Sequence, residues 1–341
     1  MLFLARQAIP SRHGFLFAFI PGTLDRMAAF PQWICRTERL VSLLLLSLLL
    51  VPAWVCPAMA WGPNGHRTVT HVAVNSLPST PEFSFIRRNG AVLAFLSGAP
   101  DRWRDRDQSA LRPANFPDHF IEFESLSFLS AFPPDRYQFA RALSARRREL
   151  GQSGQSDQAR ELFPERVGLQ PYVTAEIFGR LEIAWRQYRS AKAAGRPLGP
   201  IEQAILFYMG WLSHYVADGS QPLHTTQHFD GWEIGNPNGY STGPGVHAKV
   251  EDAFLNRSGQ ALALREQTVR ARILRDPFSD YIAYLRGSFS LVPRLYELEK
   301  SGGFNGGGTP TARQFISERM LAGAEMIASL WYTASQASKR P

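Results

Sequence analysis

Two pairs of residues in the second half of the sequence have the types and the spacing of metal ligands. His214 and Asp218 are four positions apart, and so are His247 and Glu251. On a helix, side chains four residues apart lie on one face, so each pair can coordinate one metal ion from a single helix. His224 stands between the two pairs. Imidazole and carboxylate groups suit zinc, and this combination predicts a metal site.

Groups of the same kind occur in the first half of the sequence. Asp101 follows a proline, His119 lies within residues 118–122, and His66 stands five positions after Trp61. If Trp61 becomes the first residue of the chain, its α-amine and carbonyl oxygen could also bind a metal. Taken alone, each of these residues is equally well explained as an ordinary helix-start or loop residue.

The elements that must position these residues are helices. Alternating β-branched runs are nearly absent, so the sequence predicts an all-α fold, a single domain of long helices around a central site. Apolar residues recur at helical spacing within 64–77, 91–96, 172–194, 201–218, 246–255, 280–300 and 312–334. Segments rich in Gly, Ser, Asn or Gln predict a mobile surface loop at 149–160, a pocket-shaping loop at 229–245 and a flexible linker at 302–308.

Residues 1–60 have the features of an export signal. The apolar run 40–51 is too short to span a bilayer, which takes about 20 residues. Arg36 and Arg39 precede this run, and Ala58-Met59-Ala60 follows it as a small-x-small cleavage pattern. We therefore expect residues 1–60 to be removed and residues 61–341 to form the mature domain, secreted or periplasmic.

Two further expectations concern the same leader. Met27 would give a leader of more usual length, so residues 1–26 could be an over-extended N-terminus. Both cysteines, Cys35 and Cys56, lie before the cleavage site. The mature chain would contain none, and its stability outside the cell could not depend on disulfide bonds.

The potential ligands fall into an ordered series of motifs: Trp61-Gly62-x3-His66, Asp101-x2-Arg104, His119-Phe120-x-Glu122, His214-x3-Asp218-x5-His224 and His247-x3-Glu251. This ordered set resembles the superfamily of zinc-dependent phospholipases C and single-strand-specific nucleases, all-α enzymes with three clustered zinc ions. The resemblance covers residues 61–255, which is most of the mature chain. It implies a trinuclear zinc phosphodiesterase.

The resemblance also implies which residues hold each of the three zinc ions. One ion would be bound by Asp101, His119, His214 and Asp218. A second would be bound by His224, His247 and Glu251. The third would be bound by His66 and by the α-amine and carbonyl of Trp61, with Asp218 bridging it to the first.

Four residues acquire roles in catalysis or substrate binding through the same resemblance. Asp101 would orient or deprotonate the attacking water, and Arg104 would bind a non-bridging phosphate oxygen. Phe120 would stack on a base or on a lipid headgroup. Glu122 stands where the nucleases have an acidic residue beside the base.

The substrate remains open between two branches of the superfamily. Glu251 and the run 245–251 look more like the phospholipases, whereas the close spacing of Trp61 and His66 and the long gap from His224 to His247 look more like the nucleases. We expect a single-strand-preferring nuclease or 3′-nucleotidase, with a phospholipase C acting on headgroup esters as the alternative. A third hypothesis, a non-catalytic binding protein stabilised by zinc, is disfavoured because Asp101 and Arg104 are present.

The composition limits the partners of the chain. It is 45% hydrophobic and 19% charged, which excludes a disordered or collagen-like chain. Its 37 Lys and Arg residues against 29 Asp and Glu give a net charge of +8, which favours anionic partners. We therefore expect single-stranded nucleic acid or nucleotides as substrate, or alternatively phospholipid. No obligate protein partner is evident, and we expect a monomer.

Overall fold

The computed structural model describes residues 61–337, which lie within one compact unit, Pro57–Pro341. The expected export signal, its cleavage site and both cysteines fall outside the described residues. Between residues 61 and 337 the regular structure is helical, and the only β pairing is one isolated bridge between Phe229 and Gly231. The expected all-α fold is confirmed.

The α-helices are numbered along the chain. They are α1 (Gly62–Asn75), α2 (Ser84–Arg88), α3 (Gly90–Leu96), α4 (Ala99–Arg102), α5 (Leu111–Asn115), α6 (Arg136–Gln152), α7 (Ser156–Glu161), α8 (Pro164–Val167), α9 (Gln170–Ala193), α10 (Gly199–Ser220), α11 (Val246–Ala248), α12 (Leu255–Ser258), α13 (Gln260–Leu264), α14 (Pro277–Phe289), α15 (Val292–Lys300) and α16 (Pro310–Ala337). Short 3-10 turns cover Pro81–Phe83, Phe116–His119, Glu124–Leu126 and Pro222–His224, and a π-helical segment covers Lys249–Phe254.

Helix α10 is the element around which the others pack. Every residue in its second half, from Leu212 to Ser220, is buried. It contacts α9, α16, α3 and α1. Gly210 allows the close approach of α3, because a Cβ atom at this position would lie only 2.3 Å from Cβ of Leu96. This approach brings the end of α3 beside His214, where the candidate site begins.

Prolines mark where several of these helices begin. Pro171, Pro200 and Pro277 occupy the first turn of α9, α10 and α14. A proline is tolerated there because the first N–H groups of a helix have no partner within it. Helix α6 instead begins after Asp135, whose Oδ1 accepts hydrogen bonds from the backbone N–H groups of Tyr137 and Gln138 at 2.9 and 2.8 Å.

Two expectations about local structure are wrong. Most of residues 149–160 is helical, because α6 continues to Gln152 and α7 begins at Ser156. The segment 280–300 is not one helix but two, α14 and α15. Pro293 lies in the first turn of α15 and has no N–H to donate to the carbonyl of Phe289, so one helix cannot run through this point.

The segment that carries His247 and Glu251 is helical but irregular. Helix α11 passes directly into the π-helical segment and then into α12. The preceding residues 229–245 contain no helix, as expected. Among residues 61–337, no helix combines the length and the apolar character needed to cross a bilayer.

Candidate metal centre

The first group of potential ligands gathers around the second half of α10. Nε2 of His214 and Nδ1 of His119 are 3.1 Å apart. Oδ2 of Asp218 lies 3.0 Å from that Nδ1 of His119 and 3.4 Å from Nε2 of His214. Oδ1 of Asp101 completes the group at 3.9 Å from Nε2 of His214. Three elements therefore converge: α4, the 3-10 turn before Phe120, and α10.

The spacing of these atoms suits one metal ion. Four ligand atoms placed about 2.0–2.2 Å from a tetrahedral zinc ion are separated by about 3.3–3.6 Å. The separations in the first group lie around this value, and the side chains are almost completely buried. Four donors that face one another in this way repel unless protons or a cation lie between them.

The second group lies between the 3-10 turn Pro222–His224 and the π-helical segment. Nε2 of His224 and Nε2 of His247 are 3.2 Å apart, so two ring nitrogens face each other. Oε1 of Glu251 lies 3.5 Å from Nε2 of His224, and Oε2 of Glu251 lies 2.7 Å from Nε2 of His247. These three buried residues can hold a second metal ion.

The third group joins α1 to α10. Nε2 of His66 lies 3.3 Å from Oδ1 of Asp218, and the ring of His66 stacks on that of His214 with centroids 4.2 Å apart. These three residues form a group that can hold a metal ion. Oδ1 of Asp218 is buried and makes no hydrogen bond, whereas Oδ2 faces the first group. Asp218 therefore presents one oxygen to each of two groups.

Trp61 is held against this third group by its side chain. Its indole Nε1 donates to the carbonyl of Ala217 at 2.8 Å and to Oγ of Ser220 at 2.9 Å. Its carbonyl oxygen accepts from the N–H of Gly65 in the first turn of α1. Trp61 has a φ of +47°, which makes it the only non-glycine residue with positive φ in the described part of the chain. The backbone at residue 61 thus turns sharply beside His66.

Backbone carbonyl groups orient most of the imidazole rings. Nδ1 of His214 lies 2.7 Å from the carbonyl oxygen of Ser97. Nδ1 of His224 lies 2.7 Å from that of His119, and Nδ1 of His247 lies 3.1 Å from that of Phe229. A hydrogen bond from Nδ1 fixes both the ring and its tautomer, which leaves Nε2 unprotonated and available to a metal.

Burial and neighbouring charges set the protonation of these groups. Burial, reinforced by nearby cationic groups, lowers the pKa of His119 and His214 well below the ordinary value for histidine. Burial raises the pKa of Asp218 well above the ordinary value for aspartate. Burial alone would raise the pKa of Glu251, but His247 beside it lowers this pKa to about 2. Burial alone would lower the pKa of His247, but Glu251 raises it, so the charges of this pair balance. The first group has no such balance, and its neutral imidazoles with the carboxylate of Asp218 form a donor set that a divalent cation would satisfy.

Asp101 is tied to Arg104 within one helical turn. Nη2 of Arg104 donates to Oδ1 of Asp101 at 2.7 Å, and both side chains are nearly buried. The arginine therefore fixes the carboxylate and places a positive charge at the edge of the first group. The sequence-based role for Arg104, a contact to a phosphate oxygen, is compatible with this position.

Phe120 and Glu122 closely follow the potential ligand His119 in the chain. The ring of Phe120 packs edge-to-face on the exposed Phe116 at 5.6 Å. Burial, together with the nearby carboxylates of Glu124, Glu233 and Glu161, raises the pKa of Glu122 to about 8. Glu122 is therefore largely protonated at neutral pH, and it can donate a hydrogen bond.

A buried polar network behind the first group escaped the sequence analysis. Nδ2 of Asn115 lies 3.1 Å from Nε2 of His119, and the hydroxyl of Tyr215 donates to Oδ1 of Asn115 at 2.8 Å. Nε2 of Gln170 donates to the carbonyl oxygens of His119 and Tyr215 at 3.2 and 2.9 Å. These residues carry no ligand spacing in the sequence.

His228 precedes Phe229, whose carbonyl oxygen contacts His247, but it belongs to none of the three groups. Its ring stacks on Trp232 with centroids 4.1 Å apart, and its Nδ1 accepts from the N–H of Glu233 at 3.1 Å. It therefore orders the loop after His224.

Comparisons with known proteins yield distant similarity to solved structures. No protein-family model and no curated protein matches the sequence. One similar solved structure is that of the alpha-toxin of Clostridium perfringens, isolated from avian strain SWCP. It has a TM-score of 0.44 and 14% sequence identity, over 83% of this chain and 65% of that chain. This chain thus spans somewhat less than two thirds of the toxin, and the function proposed below rests on the side chains of the site.

Proposed function

We propose that this protein is a zinc-dependent hydrolase of phosphoric diesters that acts on the headgroup ester of phospholipids. The observation that carries the proposal is the convergence of buried histidine, aspartate and glutamate side chains into three groups, two of which share His214. Asp218 contacts a histidine of each of these two groups. Such a set, made of nitrogen and oxygen donors, is typical of zinc sites. The buried pair of Asp101 and Arg104 beside it supplies groups that a purely structural zinc site does not need.

The side chains of the site have distinct roles in this reaction. Zinc, when bound, supplies Lewis acidity toward a phosphoryl group and lowers the pKa of water. Asp101 accepts the proton of the attacking water, and its bond to Arg104 keeps its carboxylate oriented. Arg104 also places its positive charge where negative charge develops on the phosphoryl oxygens. The protonated Glu122 and the ring of Phe120 bind the remainder of the substrate.

An exposed aromatic face beside Asp101 favours a lipid substrate. We define the aromatic face as Val92, Phe95, Trp103, Phe207 and Trp211. Phe95 is 58% exposed, Val92 42% and Phe207 40%.

Contacts link the aromatic members of this face, either directly or through Arg102, which precedes Trp103 in the chain. The guanidinium of Arg102 lies 4.5 Å from the ring of Phe95. The rings of Trp103 and Trp211 are 5.5 Å apart, and those of Trp211 and Phe207 are 5.8 Å apart. Here the Phe side chains are exposed and the two Trp side chains are half-buried. Aromatic side chains with arginine among them are typical of surfaces that enter the headgroup region of a bilayer. Arg102 and Trp103 directly follow Asp101, so such a surface would bring the site to the lipid.

Single-stranded nucleic acid is the second candidate substrate, and it was the one preferred from the sequence. The pair Phe116 and Phe120 favours it, because exposed aromatic rings beside a phosphodiesterase site can stack on bases. We place it second because the aromatic face is larger and more exposed than this pair.

We also propose that the chain is exported and begins at Trp61 after cleavage. The apolar run 40–51 and the sequence Ala58-Met59-Ala60 support this proposal. Determination of the N-terminal residue of the protein recovered from outside the cytoplasm tests it.

The function is tested by parallel assays of the processed protein. We expect about three zinc ions per chain and hydrolysis of phosphatidylcholine vesicles, with weaker action on single-stranded DNA, RNA and a 3′-nucleotide. Cleavage of nucleic acid without any action on vesicles would establish the second candidate instead. Fewer than two zinc ions, with no phosphodiesterase activity on any substrate, would refute both.

The role of the aromatic face needs a separate variant. The double substitution Phe95→Ser and Phe207→Ser should lower hydrolysis of vesicles at least tenfold and leave hydrolysis of soluble bis(p-nitrophenyl) phosphate unchanged. Ile183→Ser is the matched control, because Ile183 is 48% exposed on α9 and lies outside this face. Equal loss on both substrates, or no loss on vesicles, would contradict the docking role.

A further inference from the structure

An open pocket lined by three arginines lies between α6 and the chain that follows it. Its volume is about 390 Å³, within the range of small-molecule sites, roughly 300–1,000 Å³. The residues that line it are Ser144, Arg147, Arg148, Ala159, Arg160 and Phe163. None of the potential metal ligands is among them, so this arginine pocket is distinct from the candidate metal centre.

Arg147 is fixed in this pocket by an aromatic ring rather than by a carboxylate. Its guanidinium carbon lies 3.4 Å from the centroid of Phe163, which holds the planar group against the ring face. Its Nε is buried and makes no hydrogen bond. Stacking leaves the edge of a guanidinium group open, and this edge is where two parallel hydrogen bonds to a phosphate can form.

The carboxylates near the pocket are already paired with other arginines. Glu149 accepts from Arg146 at 3.0 Å, and Glu161 accepts from Arg166 at 2.7 Å.

The pocket arginines therefore have little counter-charge of their own. Arg148 forms no ion pair within residues 61–337, and neither does Arg147. Arg160 is paired only with the exposed Asp157, a contact that water screens strongly. The pocket thus concentrates positive charge that an anion of charge −2 would neutralise.

We propose that the arginine pocket binds a phosphomonoester group. Three guanidinium groups can bind the doubly charged phosphomonoester through several of its oxygens. A single carboxylate has less charge and fewer oxygens, so it matches the three arginines less well. The volume exceeds that of a bare phosphate, and the ring of Phe163 and the methyl group of Ala159 provide apolar contact for an attached organic part. The phosphomonoester can come from a soluble molecule or from a lipid headgroup such as that of phosphatidic acid. The proposal goes beyond the proposed function and does not depend on it.

The pocket is connected to the substrate side of the candidate metal centre through a short path. Leu162 and Phe163 lead into α8, and the carbonyl oxygen of Val167 in α8 accepts from the N–H of Glu122 at 2.8 Å. Glu161 and Arg166, which flank the pocket, both act on the pKa of Glu122. A ligand in the pocket therefore lies one short helix away from Glu122.

Binding to the processed, zinc-loaded protein tests the proposal. Equilibrium dialysis measures binding of glycerol 1-phosphate, and sedimentation measures binding to phosphatidylcholine vesicles with and without phosphatidic acid. The double variant Arg147→Gln with Arg148→Gln should weaken binding at the pocket at least tenfold. Arg146→Gln is the matched control, because this neighbouring arginine already has a carboxylate partner. Both proteins should keep the melting temperature and the zinc content of the normal protein, which shows that the fold and the metal centre are intact.

The pattern of losses decides the outcome. Loss of glycerol 1-phosphate binding in the double variant, but not in Arg146→Gln, supports the proposal with a soluble ligand. Loss confined to vesicles that contain phosphatidic acid supports it with a lipid headgroup. Equal binding by the normal protein and the double variant in both assays overturns it. If the double variant is unstable, Arg148→Gln with Arg160→Gln changes only exposed side chains and serves the same comparison.

Discussion

Asp218 connects two groups of the candidate metal centre through a single carboxylate. Its Oδ2 lies 3.0 Å from Nδ1 of His119, and its Oδ1 lies 3.3 Å from Nε2 of His66. Because burial raises the pKa of Asp218 well above its ordinary value, the ionised form requires positive charge nearby. A cation at either group therefore stabilises the folded chain as well as completing the site.

At the same residue scale, Asp101→Asn should separate chemistry from metal binding. The substitution keeps the size of the side chain and removes the base, so turnover should fall about 10²–10⁴-fold. Zinc content should stay near normal, because the other potential ligands of the three groups are unchanged. Asp107→Asn, at an exposed position nearby, is the control. Normal turnover would remove Asp101 from the mechanism, and complete loss of zinc would make it a structural ligand only.

Glu122→Gln should change how stability depends on pH. The pKa of Glu122 is raised from 4.5 to about 8 in the folded chain, so the folded state holds this proton more tightly than the unfolded state. The stability linked to this proton is present below pH 4.5 and is lost as pH rises toward 8. Glutamine cannot ionise, so the variant should gain stability over the normal protein between pH 6 and 9.

Urea unfolding at pH 6, 7.5 and 9 with zinc present measures this difference, with Glu165→Gln as the exposed control. A constant difference across the three pH values would show that Glu122 does not titrate in this range.

At the scale of elements, the sequence predicts the regular helices well, but it predicts the breaks and the π-helical segment poorly. The long helices α9, α10 and α16 follow from apolar spacing and from prolines at their starts. The break between α14 and α15 is set by Pro293, although the apolar pattern continues past this residue. The π-helical segment Lys249–Phe254 has no signal in the sequence, because its wider turn is set by tertiary packing rather than by a local residue pattern.

Some residues of the candidate site can be found from the sequence, and others cannot. Pairs at helical spacing, such as His214 and Asp218, could be found because one helix places both members. The groups that orient the rings could not be found in the sequence, because they are backbone carbonyl oxygens and every residue has one. Only the fold selects those of Ser97 and Phe229. Asn115 and Gln170 reach the site from separate elements, so no local pattern connects them to it.

The packing of α3 against α10 should affect metal binding by the first group, although neither Gly210 nor Leu96 is a potential ligand. In Gly210→Ala the new Cβ would lie 2.3 Å from Cβ of Leu96, so the helices must move apart. Overpacking of this kind costs about 1–3 kcal/mol of stability. The movement should also displace the carbonyl of Ser97 from His214 and weaken zinc binding.

Gly179→Ala in α9 is the matched control, because a Cβ there has no atom within 4 Å. It should leave zinc binding unchanged and alter stability by no more than about 1 kcal/mol, in the favourable direction. Unchanged zinc affinity in Gly210→Ala, measured by competition with a chelator, would show that the position of α3 does not govern the first group.

On the scale of the whole molecule, the candidate metal centre connects segments that are far apart in sequence. His66 comes from α1, Asp101 from α4, His214 from α10 and Glu251 from the π-helical segment. The mature chain is expected to contain no disulfide bond. Metal ions between these segments would therefore be its main cross-links, and their binding free energy would add directly to the stability of the fold.

Removal of metal should consequently lower the melting temperature of the entire domain. An ion present at one hundred times its Kd contributes about 2.7 kcal/mol, and each kcal/mol corresponds to about 2–4 °C for a domain of this size. Loss of even one such ion should therefore lower the Tm by about 5–10 °C, and loss of three by more.

The measurement is calorimetry before and after treatment with a chelator, with zinc content determined on the same samples. Zinc added back should restore the Tm, whereas magnesium should not, because imidazole nitrogens are poor ligands for it. A protein that loses its zinc and keeps its Tm would show that the three groups do not hold the fold together, and that their buried charges are neutralised by protons instead.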